Sequence, residues 1–114
     1  MSLAVEKYEY KPDNLIASRK MPIMTASKEA AEALKRGAPV TIGSDGKIKK
    51  ITAAGEGQAD VSALYGIVAE DAVSGKKAAV YLTGEFHADE LVFETHVVVK
   101  DVEVPFRKLG IFLV

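Results

Sequence analysis

The sequence contains no cysteine. That absence excludes disulfides, thiolate metal sites and cysteine nucleophiles in one step. It also has no excess of positive charge. Fifteen Lys and Arg residues stand against sixteen Asp and Glu, for a formal net charge of −1. No basic cluster interleaved with aromatics is present, so the electrostatic footprint of a nucleic-acid binder is missing and no direct contact with nucleic acid is expected. No apolar run is long enough to span a bilayer, and no membrane association is expected. The first residues are polar and include Glu6, Lys7 and Glu9 rather than an apolar leader; the expected compartment is cytoplasm-like. Internal repeats and low-complexity segments are absent as well.

What is present is enough for one domain. The 114 residues and 12.2 kDa scale to roughly 6,000 Å² of accessible surface when folded against roughly 18,000 Å² unfolded. About two-thirds is then buried, which supports one modest core, and association with copies of itself would improve the ratio of core to surface.

The chain is organised around residues 64–88. Two β-type runs, 64–69 and 78–88, are joined by the charged segment Glu70-Asp71-Ala72-Val73-Ser74-Gly75-Lys76-Lys77, which reads as a solvated turn. The second run alternates. Val80, Leu82, Phe86 and Ala88 fall on one face, and Tyr81, Thr83, Glu85 and His87 on the other, the period of a half-buried strand. Gly84 interrupts the apolar face and predicts a bulge or a close backbone approach.

Elsewhere the signals are local. Residues 1–20 show no helical period and read as an extended N-terminal arm, followed by a single domain over 21–114. Tyr8, Tyr10, Leu15 and Ile16 give the arm more to bury than a tail needs, and are its candidate anchors on a partner, for instance by strand addition to a sheet edge. Residues 22–26 read as a short strand. Residues 27–37 carry a helix signature: Ser27 as cap, Glu29 and Glu32 early, Lys35 and Arg36 late, Gly37 as stop. Residues 38–42 and 47–52 flank Gly43-Ser44-Asp45-Gly46 and read as a β-hairpin. A phosphate-binding loop there would need a following helix, and Lys47-Ile48-Lys49-Lys50-Ile51 reads as strand. Residues 53–63 read as a loop, and Asp89-Glu90 as a turn. The consecutive Val97, Val98 and Val99 predict a strand buried on both faces. Pro105 then opens a short helix over 106–109, Gly110 ends it, and 111–114 form a terminal strand.

Chemistry-bearing groups are few. His87 and His96 are the only histidines. With a nearby carboxylate they offer a possible ligand set, but His87 and Glu85 share the polar face of a strand, which is more simply a solvated face. Most of the serines (Ser18, Ser27, Ser44, Ser62, Ser74) sit in turn or cap contexts, where a hydroxyl has local structural use, and none occupies a strand-to-helix elbow. No metal, no cofactor and no catalysis are expected.

Three motifs together carry a resemblance. Gly66-Ile67-Val68 is followed, after the charged turn, by the run ending Leu82-Thr83-Gly84-Glu85-Phe86, and the chain closes on Leu109-Gly110-Ile111-Phe112-Leu113-Val114. This order and spacing, over about residues 37–114, resembles the lambda-type bacteriophage head decoration proteins. Gly66, Ile67, Gly84, Phe86, Gly110 and Ile111 stand at the family's structural motif positions. The segment 27–37 departs from the family, in which a loop is expected. The resemblance implies a mainly β fold, a compact barrel-like or β-tulip-like domain with short helices. It implies a homotrimer bound to the major capsid protein on the virion surface, with the N-terminal arm and its Tyr8, Tyr10, Leu15 and Ile16 as the expected capsid-binding element, made in a bacterial host from a phage or prophage gene. The contrasting expectation is a small β-barrel adaptor module, such as a tail component or an accessory subunit.

Overall fold

The computed structural model describes residues 15–18, 20, 22–51, 53–55, 58–59, 61–93 and 97–114. The protein is mainly β. A five-stranded sheet is built from β2 (Thr25–Glu29), β3 (Pro39–Ile42), β4 (Ile48–Lys50), β7 (Leu64–Val68) and β8 (Lys77–Tyr81), in the order β2-β8-β7-β3-β4 with every pair antiparallel. A three-stranded sheet holds β1 (Ile16–Ser18), β9 (Gly84–Phe86) and β10 (Ile111–Leu113), with β9 central, antiparallel to β1 and parallel to β10. β5 (Ala53–Gly55) and β6 (Gln58–Ala59) form a two-stranded ribbon, where a loop was expected. One α-helix, α1 (Val99–Leu109), and a 3₁₀ turn (Ala88–Glu90) complete the described residues.

The expected 78–88 strand keeps its alternation in part: Val80 and Phe86 are buried and Tyr81, Glu85 and His87 half-buried, but Leu82 and Ala88, expected on the apolar face, are half-buried as well. It serves two sheets, however. The chain breaks at Leu82-Thr83 and leaves β8 in the large sheet for β9 in the small one. The hairpin of β3 and β4 forms as read. Its turn is closed by Gly43 N–H to the Lys47 carbonyl (3.0 Å) and by Lys47 N–H to Asp45 Oδ1 (3.0 Å), the local side-chain bond that favours Asp in turns.

Two expectations are corrected. Residues 27–37 are not a helix. Ser27, Lys28 and Glu29 lie in β2, paired with Ala79, Ala78 and Lys77 of β8. Beyond it the chain runs irregularly across the open end of the large sheet. Ala30 forms a parallel bridge to Ile48, and Leu34 an antiparallel bridge to Ala72. Ala31 N–H reaches the Ile48 carbonyl (2.8 Å), Ala30 N–H the Lys76 carbonyl (2.9 Å), and Lys50 N–H donates to Glu32 Oε2 (2.8 Å). These bonds join the two outer strands of the sheet and curl it into a half-barrel. Tertiary pairing overrides the helical preference of Ala, Glu and Lys. The joining segment 70–77 is consequently clasped at Ala72 rather than wholly solvated.

The second correction concerns residues 97–109. Val97 is buried, but Val98 is the exposed, extended N-cap of α1, which begins at Val99. Asp101 Oδ2 accepts the Val98 N–H (3.0 Å), half of a capping box. Val102 and Phe106 form the inward stripe, so helical spacing outweighs the β preference of three valines. Pro105 lies inside the helix rather than in its first turn, and Gly110 caps the end in the left-handed region (φ 100°).

Two buried clusters result. Leu15, Ile51, Leu64, Ile67, Phe86, Leu91, Val97, Val102, Phe106 and Ile111 fill the space between the sheets and α1. Ala30, Leu34, Ala38, Val40, Ile48, Val68 and Val80 line the inside of the half-barrel.

Candidate functional site

The motif residues converge. Ile67 from β7, Phe86 from β9 and Ile111 from β10 belong to one buried cluster and are each 0% exposed. Gly84 N–H donates to the Gly110 carbonyl (3.1 Å), which sets the start of β9 against the start of β10. Gly66 is required by contact: a Cβ there would collide with the Tyr81 carbonyl oxygen and lie 2.8 Å from Val80 Cγ1. Gly84 is required by backbone: its φ is 142°, and a Cβ would sit 3.0 Å from the Phe86 ring. Phe86 in turn meets Tyr81 at 5.2 Å between ring centroids. These residues form the junction at which the two sheets and the helix meet.

The four arm residues separate. Tyr8 and Tyr10 lie outside the described residues. Leu15 is 1% exposed and sits in the inter-sheet core, and Ile16 opens β1 opposite Phe86. Leu15 to Ser18 thus belong to the fold, inside the span read as arm. The Leu15 carbonyl accepts the His87 N–H (2.9 Å), continuing the β1–β9 ladder.

His87 is half-buried on β9's polar side, and His96 lies outside the described residues. Among the described residues, no three His, Cys, Asp or Glu side chains come together as a metal-binding group. No described helix is long and apolar enough to cross a membrane. Ser74 Oγ donates to the Ala31 carbonyl (3.2 Å), a structural use that ties the 69–76 turn to the clasp.

Sequence reasoning missed Arg36. Its guanidinium donates to the Ala69 carbonyl (2.7 Å) and to the Tyr81 hydroxyl (3.1 Å), and lies 5.8 Å from the Tyr81 ring centroid. Its own N–H is accepted by Asp71 Oδ1 (2.8 Å). Read as a helix-terminal charge, Arg36 gave no signal of this network. Only the placement of the 30–37 segment over the β7–β8 turn brings the groups together.

Exposed apolar side chains among the described residues are scattered: Met24, Val73, Val92 and Val98 lie apart from the C-terminal region. Val104, Leu109 and Val114 are exposed, and Val104, Arg107, Lys108 and Phe112 line a shallow cleft of about 370 Å³ beside β10. A surface of this kind, apolar with a basic rim, suits association rather than chemistry. No protein-family model and no curated protein matches this chain.

Proposed function

We propose that this protein is a non-catalytic head decoration protein of the lambda type. It binds the major capsid protein on the outside of an expanded phage shell and stabilises the lattice as a trimer. The observation that supports the reading best is the convergence of the three motifs. Gly66-Ile67, Gly84–Phe86 and Gly110-Ile111 are far apart in sequence, yet they build one junction. A resemblance made of scattered motifs gains weight when the motifs form a single structural unit.

The mechanism is linkage. A protein that binds only the expanded, intact lattice lowers the free energy of that state by mass action. Several weak contacts per oligomer raise avidity without any single strong one. The test is co-sedimentation with undecorated heads of the encoding phage or prophage, with unexpanded shells as control. Saturable binding to the expanded form alone is the expected result. Binding to neither form overturns the reading and leaves a β-barrel adaptor module, which would bind one ring or one chain rather than a lattice.

A further inference from the structure

The β3–β4 turn carries a reactive peptide bond. Of the six aspartates in the chain, Asp45 is the only one followed by glycine; the others precede Asn14, Val61, Ala72, Glu90 and Val102. The single asparagine, Asn14, precedes Leu15. An aspartate before glycine can close on its own backbone, because the next residue has no side chain to crowd the attacking nitrogen. Ser44, Asp45 and Gly46 are exposed, and no described atom lies within 4 Å of where a Gly46 Cβ would sit. The turn therefore has room to form a ring.

We propose that Asp45–Gly46 is a site of spontaneous backbone isomerisation to isoaspartate, held unreactive by the folded hairpin and released when the hairpin opens. The Gly46 amide nitrogen attacks Asp45 Cγ. The N–Cγ bond forms, and the protonated carboxyl loses its hydroxyl group, which leaves as water with the proton shed by the nitrogen. Water then adds to the five-membered imide. Breaking the bond from nitrogen to Cγ restores aspartate. Breaking the bond from nitrogen to the Asp45 backbone carbonyl carbon leaves the chain running through Cγ, with a free α-carboxylate. One water leaves and one returns, and no oxidant or cofactor is needed.

Both reacting groups are engaged in the folded turn. Gly46 N–H donates to the Gly43 carbonyl (2.9 Å), and Asp45 Oδ1 accepts the Lys47 N–H (3.0 Å). The bond from Gly43 N–H to the Lys47 carbonyl (3.0 Å) closes the turn around them. An amide proton held by a carbonyl is harder to remove, and a carboxylate tied to Lys47 N–H is not free to swing onto the Gly46 nitrogen. Reaction waits on local opening, and its rate follows the population of opened hairpin.

The product cannot reclose the same turn. Isoaspartate adds a carbon to the main chain between Ser44 and Gly46 and moves the carboxylate that accepts the Lys47 N–H. Turn geometry sets hairpin register, so the pairing of Ile42 with Ile48 is disturbed. Ile48 is also where the half-barrel closes: its carbonyl accepts the Ala31 N–H (2.8 Å), and it bridges to Ala30. A change at an exposed turn thus reaches the clasp. The inference goes beyond the decoration reading and stands without it, because it needs no shell.

The test follows the site by peptide mapping. Full-length protein is held at neutral pH in native buffer or in guanidinium chloride. It is then treated with isoaspartyl methyltransferase and a labelled methyl donor, and the label is located among the peptides. Label is expected in the peptide holding Asp45, accumulating at least about tenfold faster in the denatured chain, as for a hairpin open less than about a tenth of the time. Gly46→Ala is expected to slow the denatured chain, because its methyl group crowds the nitrogen. Equal rates in the native and denatured chains overturn the proposal. So does label spread evenly over the six aspartates of the denatured chain, or its absence from Asp45. Chains isomerised in denaturant and returned to native buffer are expected to stay unfolded, or to unfold at a lower urea midpoint than unmodified chains treated alike; an equal midpoint overturns the link to the clasp. Shell binding is measured separately, so loss of one reading leaves the other standing.

Discussion

The two buried clusters are held in different ways. The inter-sheet cluster is held by volume: it contains Phe86 and Phe106, together with Leu15, Ile67 and Ile111, drawn from both sheets and the helix. The half-barrel cluster has no aromatic ring: Leu34 and Ile48 pack there with Ala30, Ala38, Val40, Val68 and Val80. It is closed by backbone bonds at Ala30, Ala31 and Leu34. The Ala30–Ile48 bridge and the peptide hydrogen bonds beside it complete the closure. The first region depends on which side chains are present, the second on the path of the main chain.

The largest effect should come from the side-chain-held region. Phe86→Ala removes a ring that is 0% exposed and should cost about 3–5 kcal/mol, read as a lower urea midpoint. A loss below about 1 kcal/mol would break the contrast. Gly66→Ala strikes the strand both clusters share. Its new methyl meets the Tyr81 carbonyl and Val80, and overpacking against backbone should cost about 2–3 kcal/mol. Near-neutral unfolding curves would mean that β7 and β8 separate easily. Arg36→Met keeps the aliphatic stem but loses the bonds to Ala69 and Tyr81. About 1–2 kcal/mol is expected, within the range for bonds to charged groups. A neutral result would show that the clasp stands on its backbone bonds alone.

The same contrast explains what the sequence made legible. The Asp-Gly hairpin and the Gly110 stop before the terminal strand are local patterns that appear where their residues predict, and the alternation of 78–88 holds within β8 and β9. The clasp was not legible. Ser27 through Gly37 has good helical chemistry, and its true course depends on Ile48, Ala72 and Lys76, partners far off in the chain. The valines at 97–99 misled for a related reason. β propensity is a preference for a half-buried pleated surface, and the Asp101 cap with Val102 and Phe106 offered a helix instead. The motif residues were legible as a set, but their common junction emerged only once β8 and β9 were seen to belong to different sheets.

The passage between the sheets has a mechanical consequence. β8 continues into β9 through Leu82-Thr83, and the Thr83 hydroxyl donates to the Pro22 carbonyl (2.7 Å) while accepting the Met24 N–H (3.1 Å). Leu82 N–H donates to the Met24 carbonyl as well (2.7 Å). The segment leading into β2 is thus riveted to the one crossing from β8 to β9. Tension applied to the small sheet passes into the large one with little slack at this joint, so the two sheets should strain together as one stiff plate.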